Sequence, residues 1–253
     1  MVVTLAHESI TTYAPVSDRS QETARSAVEV AQALLGSGEA KSFGWSRREK
    51  REGLFAGEVA QLRARSLPFA PPGIEIASQG EHDVFYQDGA AYVHKVTNGS
   101  AFGYVVDQES DNRANKLTLR RALPSEYLTR QGIHNIAFGD DAKLQAIGTD
   151  KRGFPMFVIA QPYADNTRPF QAEINAFMEQ SGFVRLPDEM LMQSLGVKPV
   201  WWRAADQLIA TDANPENFSK LSDTEIVPID LIVHNYPASL LESTARQNGV
   251  RLA

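Results

Sequence analysis

The chain contains no cysteine. Disulfides, thiolate metal sites and cysteine nucleophiles are therefore excluded, and the composition suits a reducing cytoplasm. Long apolar runs are also missing. No stretch approaches the ~20 residues that a membrane-spanning helix needs, so no membrane partner is expected. Met1 to Ser9 lack the basic start and apolar block of a secretory leader, and none is expected. An excess of positive charge is absent as well. Lys and Arg number 25 against 31 Asp and Glu, giving a net charge of −6, which excludes a global pull toward nucleic acid. The one basic cluster, Arg47-Arg48-Glu49-Lys50-Arg51, reads as a solvated helix face. The five histidines, His7, His82, His94, His134 and His234, show no metal-ligand spacing. No Gly-x-Ser-x-Gly elbow is present, so hydrolase chemistry of that type has no support.

What is present describes an ordinary globular chain. Its 253 residues suffice for one large or two small domains, with 43% hydrophobic residues to build a core. Gly36-Ser37-Gly38-Glu39-Ala40-Lys41-Ser42 looks like a phosphate loop but fails as one. Ala40 stands where a glycine is required before Lys41, and the segment follows a helical pattern rather than a strand. It reads as a helix-ending turn.

Two helices are expected early, over Ser20 to Leu35 and about Ser46 to Ser66. The run Leu67-Pro68-Phe69-Ala70-Pro71-Pro72-Gly73 then marks the best domain boundary. Beyond it the apolar period changes to two. Ile74 to Ala77, Asp83 to Tyr86 and Ala91 to Val96 read as strands, with Gly80 and Asp88-Gly89 at turns. A helical region within Ala114 to Gln131 follows. Next come strands at Lys143 to Gly148 and Met156 to Gln161, and a helix over Pro169 to Ser181. Strands at Leu208 to Thr211 and Ile226 to Val233 flank a polar loop.

That loop, Asp212-Ala213-Asn214-Pro215-Glu216-Asn217, carries the strongest chemical pattern. Asp230 follows it, inside the apolar run Ile226 to Val233, where a carboxylate is costly unless paired or metal-bound. As a bare sequence the loop is also an ordinary polar turn. Together, loop and aspartate resemble the catalytic loop and metal-binding aspartate of eukaryotic-type protein kinases. More narrowly, Phe138-Gly139-Asp140-Asp141, Gln161-Pro162-Tyr163 and the stretch from Ala210 to Asp230 resemble the kinase-like domains of bacterial and phage polyvalent proteins. The resemblance covers about residues 74 to 235.

The resemblance implies an α+β, divergent two-lobed kinase-like fold. An antiparallel-sheet N-lobe (about 74–160) and a minimal C-lobe (about 161–253) would form a domain over 71–253, preceded by a helical extension over 1–70. It implies ATP and Mg as cofactors. Asp212 would orient a substrate hydroxyl and accept its proton, while Asn217 and Asp230 would hold metal. Lys95, on the third strand, would hold nucleotide phosphates. Glu126 would pair with Lys95, with Glu109 as the alternative. Gly80 would belong to the phosphate-covering loop, and Gln161 and Tyr163 to the segment that binds adenine. The acceptor would be a hydroxyl on a protein or small molecule.

The chain departs from the family pattern in several places. Ser78-Gln79-Gly80-Glu81-His82 holds one glycine instead of three. Ala210 and Thr211 stand where His and Arg are usual, and Leu231 and Ile232 replace Phe and Gly. A catalytically weak pseudokinase, acting as a nucleotide-binding or interaction module, and an unrelated α+β interaction domain are the alternatives.

Overall fold

A computed structural model describes residues 47–252 apart from 69, 99–101, 112–113, 165–166, 193–194, 196–198 and 223–224. The helix expected over Ser20 to Leu35 and the turn at Gly36 to Ser42 lie outside the described residues. The fold is α+β, with mostly antiparallel sheets and four described α-helices.

The first helix, α1 (Arg47–Arg65), places Phe55, Val59 and Leu62 on one stripe. Val59 and Leu62 are buried in a cluster with Phe102, Tyr127, Leu128, Phe157 and Ile159. The residues ahead of the proline-rich segment thus share a core with those behind it. Glu58, also on α1, accepts from the Ser125 backbone N–H at 2.9 Å and the Ser125 hydroxyl at 2.8 Å. It thereby satisfies an N-terminal donor of the next helix, α2 (Pro124–Phe138).

Six strands make the main sheet: β1 (Leu67–Pro68), β2 (Ile74–Gln79), β3 (His82–Tyr86), β4 (Tyr92–Thr97), β7 (Lys143–Thr149) and β8 (Pro155–Pro162). Their spatial order is β1-β7-β8-β4-β3-β2, and only the β1–β7 pair is parallel. The five antiparallel strands match the runs expected from the period-two pattern. In the β4–β8 ladder Lys95 lies opposite Ile159. Its side chain therefore leaves the sheet on the face that α2 covers.

The segment before α2 differs from expectation. Residues 114–121 form a strand, β6 (Ala114–Arg121), paired along its length with β5 (Tyr104–Asp111). The helix begins only at Pro124, which tolerates the first helical position but not an interior one. This hairpin packs away from the main sheet. Its Val106 and Leu117 join Leu186, Met190, Trp202, Ile209, Tyr236 and Leu241 in a second core.

The remaining elements are α3 (Gln171–Gln180), β9 (Val184–Arg185), β10 (Trp201–Arg203), β11 (Leu208–Thr211), β12 (Phe218–Lys220), β13 (Ile226–Pro228), β14 (Ile232–Asn235) and α4 (Ala238–Gln247). Strands β14-β11-β10-β9 form one antiparallel sheet, and β12–β13 form a separate ribbon. The run Ile226 to Val233 is therefore two strands. Pro228 cannot donate to a ladder, and the chain turns out of the ribbon there. Asp230 sits in the connection, and its side chain keeps 32% exposure. The expectation of a carboxylate inside a buried strand is corrected accordingly. No helix among the described residues is long and apolar enough to cross a membrane.

Candidate functional site

Two ladders fix the loop residues. Thr211 pairs with Ile232 in the β11–β14 ladder, and Phe218 pairs with Pro228 in the β12–β13 ribbon. The 212–217 loop and the 229–231 connection are therefore clamped side by side. Asn217 accepts from Ile229 N at 2.8 Å and Asp230 N at 3.4 Å through its carbonyl. Its side-chain amide donates to the Asp212 carbonyl at 2.8 Å, which leaves Oδ1 as its open ligand atom.

Asp212 has φ 66°, a left-handed conformation that is uncommon for a residue other than glycine. Its carboxylate accepts from Asn214 Nδ2 at 2.7 Å. The Asp212 carboxyl is held above the ordinary aspartate value. Burial is the chief cause and the charges of Asp230 and Glu81 add to it, against the bonds to Asn217 and Asn214. Asp230 moves the other way. Burial would raise it, but the positive fields of Lys95, His82 and Arg130 outweigh that and hold it well below the usual carboxylate range.

Lys95 reaches across from the sheet. Its Nζ donates to the Ile229 carbonyl at 2.5 Å and lies 3.8 Å from Asp230 Oδ1. Lys95, Asp212, Asn217 and Asp230 are thus brought to one place. Glu126 is not. Its two carboxylate oxygens accept from Arg120 at 2.6 and 2.7 Å, and one also caps the Leu123 N–H at 2.8 Å. Glu109 lies on the β5–β6 hairpin, opposite Lys116. The α2 residue turned toward the site is Arg130, which is fully buried and ion-paired with Glu81.

Gly80 forms the exposed β2–β3 turn with φ 65°, and its carbonyl accepts from Asn98 Nδ2 at 3.0 Å. Gln161 is buried at the end of β8. Its amide donates to Asp140 Oδ2 at 2.6 Å and to the Ile229 carbonyl at 3.1 Å. Tyr163 is 43% exposed and stacks on Tyr86 at 4.6 Å between centroids. Its backbone N–H is already donated to Ala91 O at 2.9 Å. Asp140 is held below its ordinary value: burial opposes this, but His134 and Gln161 prevail.

The fold brings four further residues to this place, none of them among the catalytic or metal-binding candidates of the sequence. Glu81 and His82 follow the β2–β3 turn, and Tyr127 and Arg130 sit one helical turn apart on α2. His82 Nε2 is 2.8 Å from the Tyr127 hydroxyl, and His82 Nδ1 is 3.4 Å from Asp230 Oδ2. The one local hint was the stripe Tyr127, Arg130 and His134, which puts a guanidinium on the buried face of α2. Gly103, at φ 69°, passes so close that a Cβ there would collide with Glu81 and Arg130.

Two concave regions lie elsewhere. One of about 740 Å³ is lined by Phe55, Asp107, Arg120 and Leu123, and one of about 420 Å³ by Val105, Glu126, His234 and Tyr236. Neither is lined by Lys95, Asp212 or Asp230, so chemistry rather than size picks out the candidate site. No protein-family model, no curated protein and no solved structure matches the chain.

Proposed function

We propose that the chain is a kinase-like phosphotransferase that moves the γ-phosphoryl group of ATP to a hydroxyl acceptor with magnesium. The observation that carries this reading is the convergence of Lys95 with Asp230 at 3.8 Å, on a connection bonded to the Asn217 backbone and beside Asp212. Phosphoryl transfer asks for positioning and charge neutralisation more than for covalent chemistry. The donor set suits a hard cation: Asn217 offers an amide oxygen and Asp230 a carboxylate kept ionised by its neighbours. Magnesium, when bound there, would neutralise phosphate charge. Lys95 would hold phosphate oxygens. The acceptor oxygen would form the new bond to phosphorus, ADP would leave, and Asp212 would take the hydroxyl proton. Burial and like charge make Asp212 a stronger base than an exposed aspartate.

One observation favours the catalytically weak alternative. Lys95 has no glutamate from α2 and is bonded to a main-chain carbonyl, while Glu126 is committed to Arg120. In that alternative the site binds nucleotide without transferring phosphate.

The test is metal-dependent nucleotide affinity and phosphate transfer for the parent, Asp230→Ala and Asp212→Ala. Asp230→Ala is expected to weaken Mg-ATP binding and abolish turnover. Asp212→Ala is expected to keep binding and slow transfer by about 10²–10⁴-fold, the scale of a lost general base. A parent that binds Mg-ATP but transfers nothing establishes the weak alternative. A parent that binds no nucleotide ends both readings.

A further inference from the structure

We infer that Glu81, His82 and Asp230 form a site for a transition-metal dication of the manganese, cobalt or zinc class. The site shares Asp230 with the proposed magnesium position and draws its other two ligands from Glu81 and His82 instead of Asn217. One ligand atom from each of the three residues lies within 4.8 Å of the other two. Around a cation with bonds of about 2.0–2.2 Å, tetrahedral ligands stand about 3.3–3.6 Å apart. The His82 Nδ1–Asp230 Oδ2 separation of 3.4 Å already matches, and a pair as wide as 4.8 Å closes by a little over an ångström.

The second-layer contacts leave the right atoms free. Each carboxylate has one oxygen held by a cation and the other turned inward. Glu81 gives Oε1 to Arg130, while Oε2 is buried without a hydrogen-bond partner. Asp230 has Oδ1 toward Lys95 and Oδ2 toward His82. His82 is 2% exposed, and its Nδ1 makes no hydrogen bond although it faces Asp230 Oδ2 at 3.4 Å. The opposite nitrogen, Nε2, lies 2.8 Å from the Tyr127 hydroxyl. If Nε2 carries the proton and donates it to Tyr127, Nδ1 presents a lone pair directly to a carboxylate lone pair. A cation between these two atoms satisfies both: a proton on Nδ1 in the metal-free chain, or a metal ion that takes its place. A ligating imidazole normally donates its far N–H to an oxygen in this way, which fixes tautomer and ring plane. Arg130 plays the matching part for Glu81.

One imidazole and two carboxylates select the metal. Imidazole suits zinc and iron and the two carboxylates suit manganese, whereas magnesium prefers an all-oxygen, largely hydrated shell. The inference does not rest on phosphoryl transfer, because the three ligands are assembled without a nucleotide.

The experiment is titration of the full chain with Mn²⁺ in the absence of nucleotide, read by the loss of the free-ion electron paramagnetic resonance signal. One equivalent is expected to bind, and a hundred-fold excess of Mg²⁺ is expected to leave most of it in place. His82→Gln should lower affinity at least ten-fold. Pulsed resonance on the unmodified protein should show coupling to an imidazole nitrogen, a readout that needs no variant to fold. Absence of Mn²⁺ binding, absence of nitrogen coupling, or a folded His82→Gln chain with parental affinity overturns the inference. Mn²⁺ held through His82 by a chain that transfers no phosphate upholds it and removes only the phosphotransferase reading. Phosphate transfer by a parent without nitrogen coupling removes only the metal site.

Discussion

Asp212 concentrates three costs in one residue: a left-handed backbone at φ 66°, partial burial, and like charges from Asp230 and Glu81. Such costs gather where function requires them. Asn tolerates the same backbone region and keeps an oxygen for Asn214, so Asp212→Asn removes only the charge. The folded-state value of Asp212 is raised, so its ionisation costs stability as pH rises from its unfolded value through its folded one. Asp212→Asn is therefore expected to be more stable than the parent at neutral pH, where burial and the charges of Asp230 and Glu81 weigh on the ionised parent. The gain should vanish in acid, where the parent carboxyl is protonated. Urea melts at pH 7 and pH 3.5 check this; a variant less stable than the parent at pH 7 contradicts it. The residue scale also shows how far the sequence could be read. Asp212, Asn217 and Asp230 were legible because they lie within one short span joined by two strand pairs. Glu126 was misplaced because a glutamate at the third helical position has a local use, capping Leu123 N and pairing with Arg120. Glu81 and His82 gave no pattern, because their partners come from distant parts of the chain, and Arg130 gave only its place on the buried stripe of α2.

At the scale of elements, alternation of side chains located β3, β4, β7 and β8, each with a face in a core, and also β2, whose Ile74 and Ile76 are exposed. The β5–β6 hairpin was illegible. Its period-two apolar residues Val106, Leu117 and Leu119 are interleaved with charged ones, and the segment runs directly into Pro124, so strand and helix signals overlap. The proline-rich run after α1 looked like a boundary because composition changes there, yet composition does not show what a helix packs against. Leu62 is fully buried among Phe102, Tyr127, Leu128 and Phe157. Leu62→Ala is therefore expected to destabilise the chain by about 2–5 kcal/mol, as a core truncation does. The loss should appear in the unfolding of the sheet as well as of α1. Glu58→Ala should act on the same joint by leaving Ser125 uncapped, at a cost of about 1 kcal/mol. Chemical denaturation followed by far-ultraviolet dichroism and tryptophan fluorescence measures both. A Leu62→Ala chain with parental stability would mean that α1 is an appendage.

The whole molecule is tied at two places that cross its sequence order. Residues of the main sheet, Lys95 and Gln161, donate to the Ile229 carbonyl, while the β5–β6 hairpin sits in the core built by residues 186–245. The second tie contains a titratable group. His234 Nε2 accepts the Val106 N–H at 2.9 Å, and Nδ1 donates to the Asn235 carbonyl at 2.8 Å. Both nitrogens are committed to the neutral ring. Burial is the chief force lowering its value, the Arg120 and Arg130 cations add to it, and the value falls from 6.5 to about 4. The sign follows from proton uptake. Between these values the unfolded chain binds a proton at this position and the folded chain does not, so stability falls as pH drops through the window. One proton corresponds to a slope of at most about 1.4 kcal/mol per pH unit. Glu58 opposes it: burial raises its folded value above 4.5, so its contribution is present in acid and lost as pH rises. Asp230 and Asp140, both lowered, matter only as pH approaches 3.8. Glu58 and Asp212, both raised, act in the opposite sense from His234 as pH rises, so the His234 contribution over the interval from about pH 5 to 6.5 is read as the difference between parent and variant. His234→Gln keeps an acceptor for Val106 without a proton to gain. It is expected to flatten the stability profile across that interval and to leave the steeper loss below pH 4 in place. Because the hairpin belongs by chain order to one half and by packing to the other, parent and variant should each unfold in a single transition. Urea melts at half-unit steps from pH 4 to 7, followed by two probes, supply both readings. A parental slope retained in His234→Gln would remove the histidine from the account, and two separated transitions would show that the hairpin does not bind the halves together.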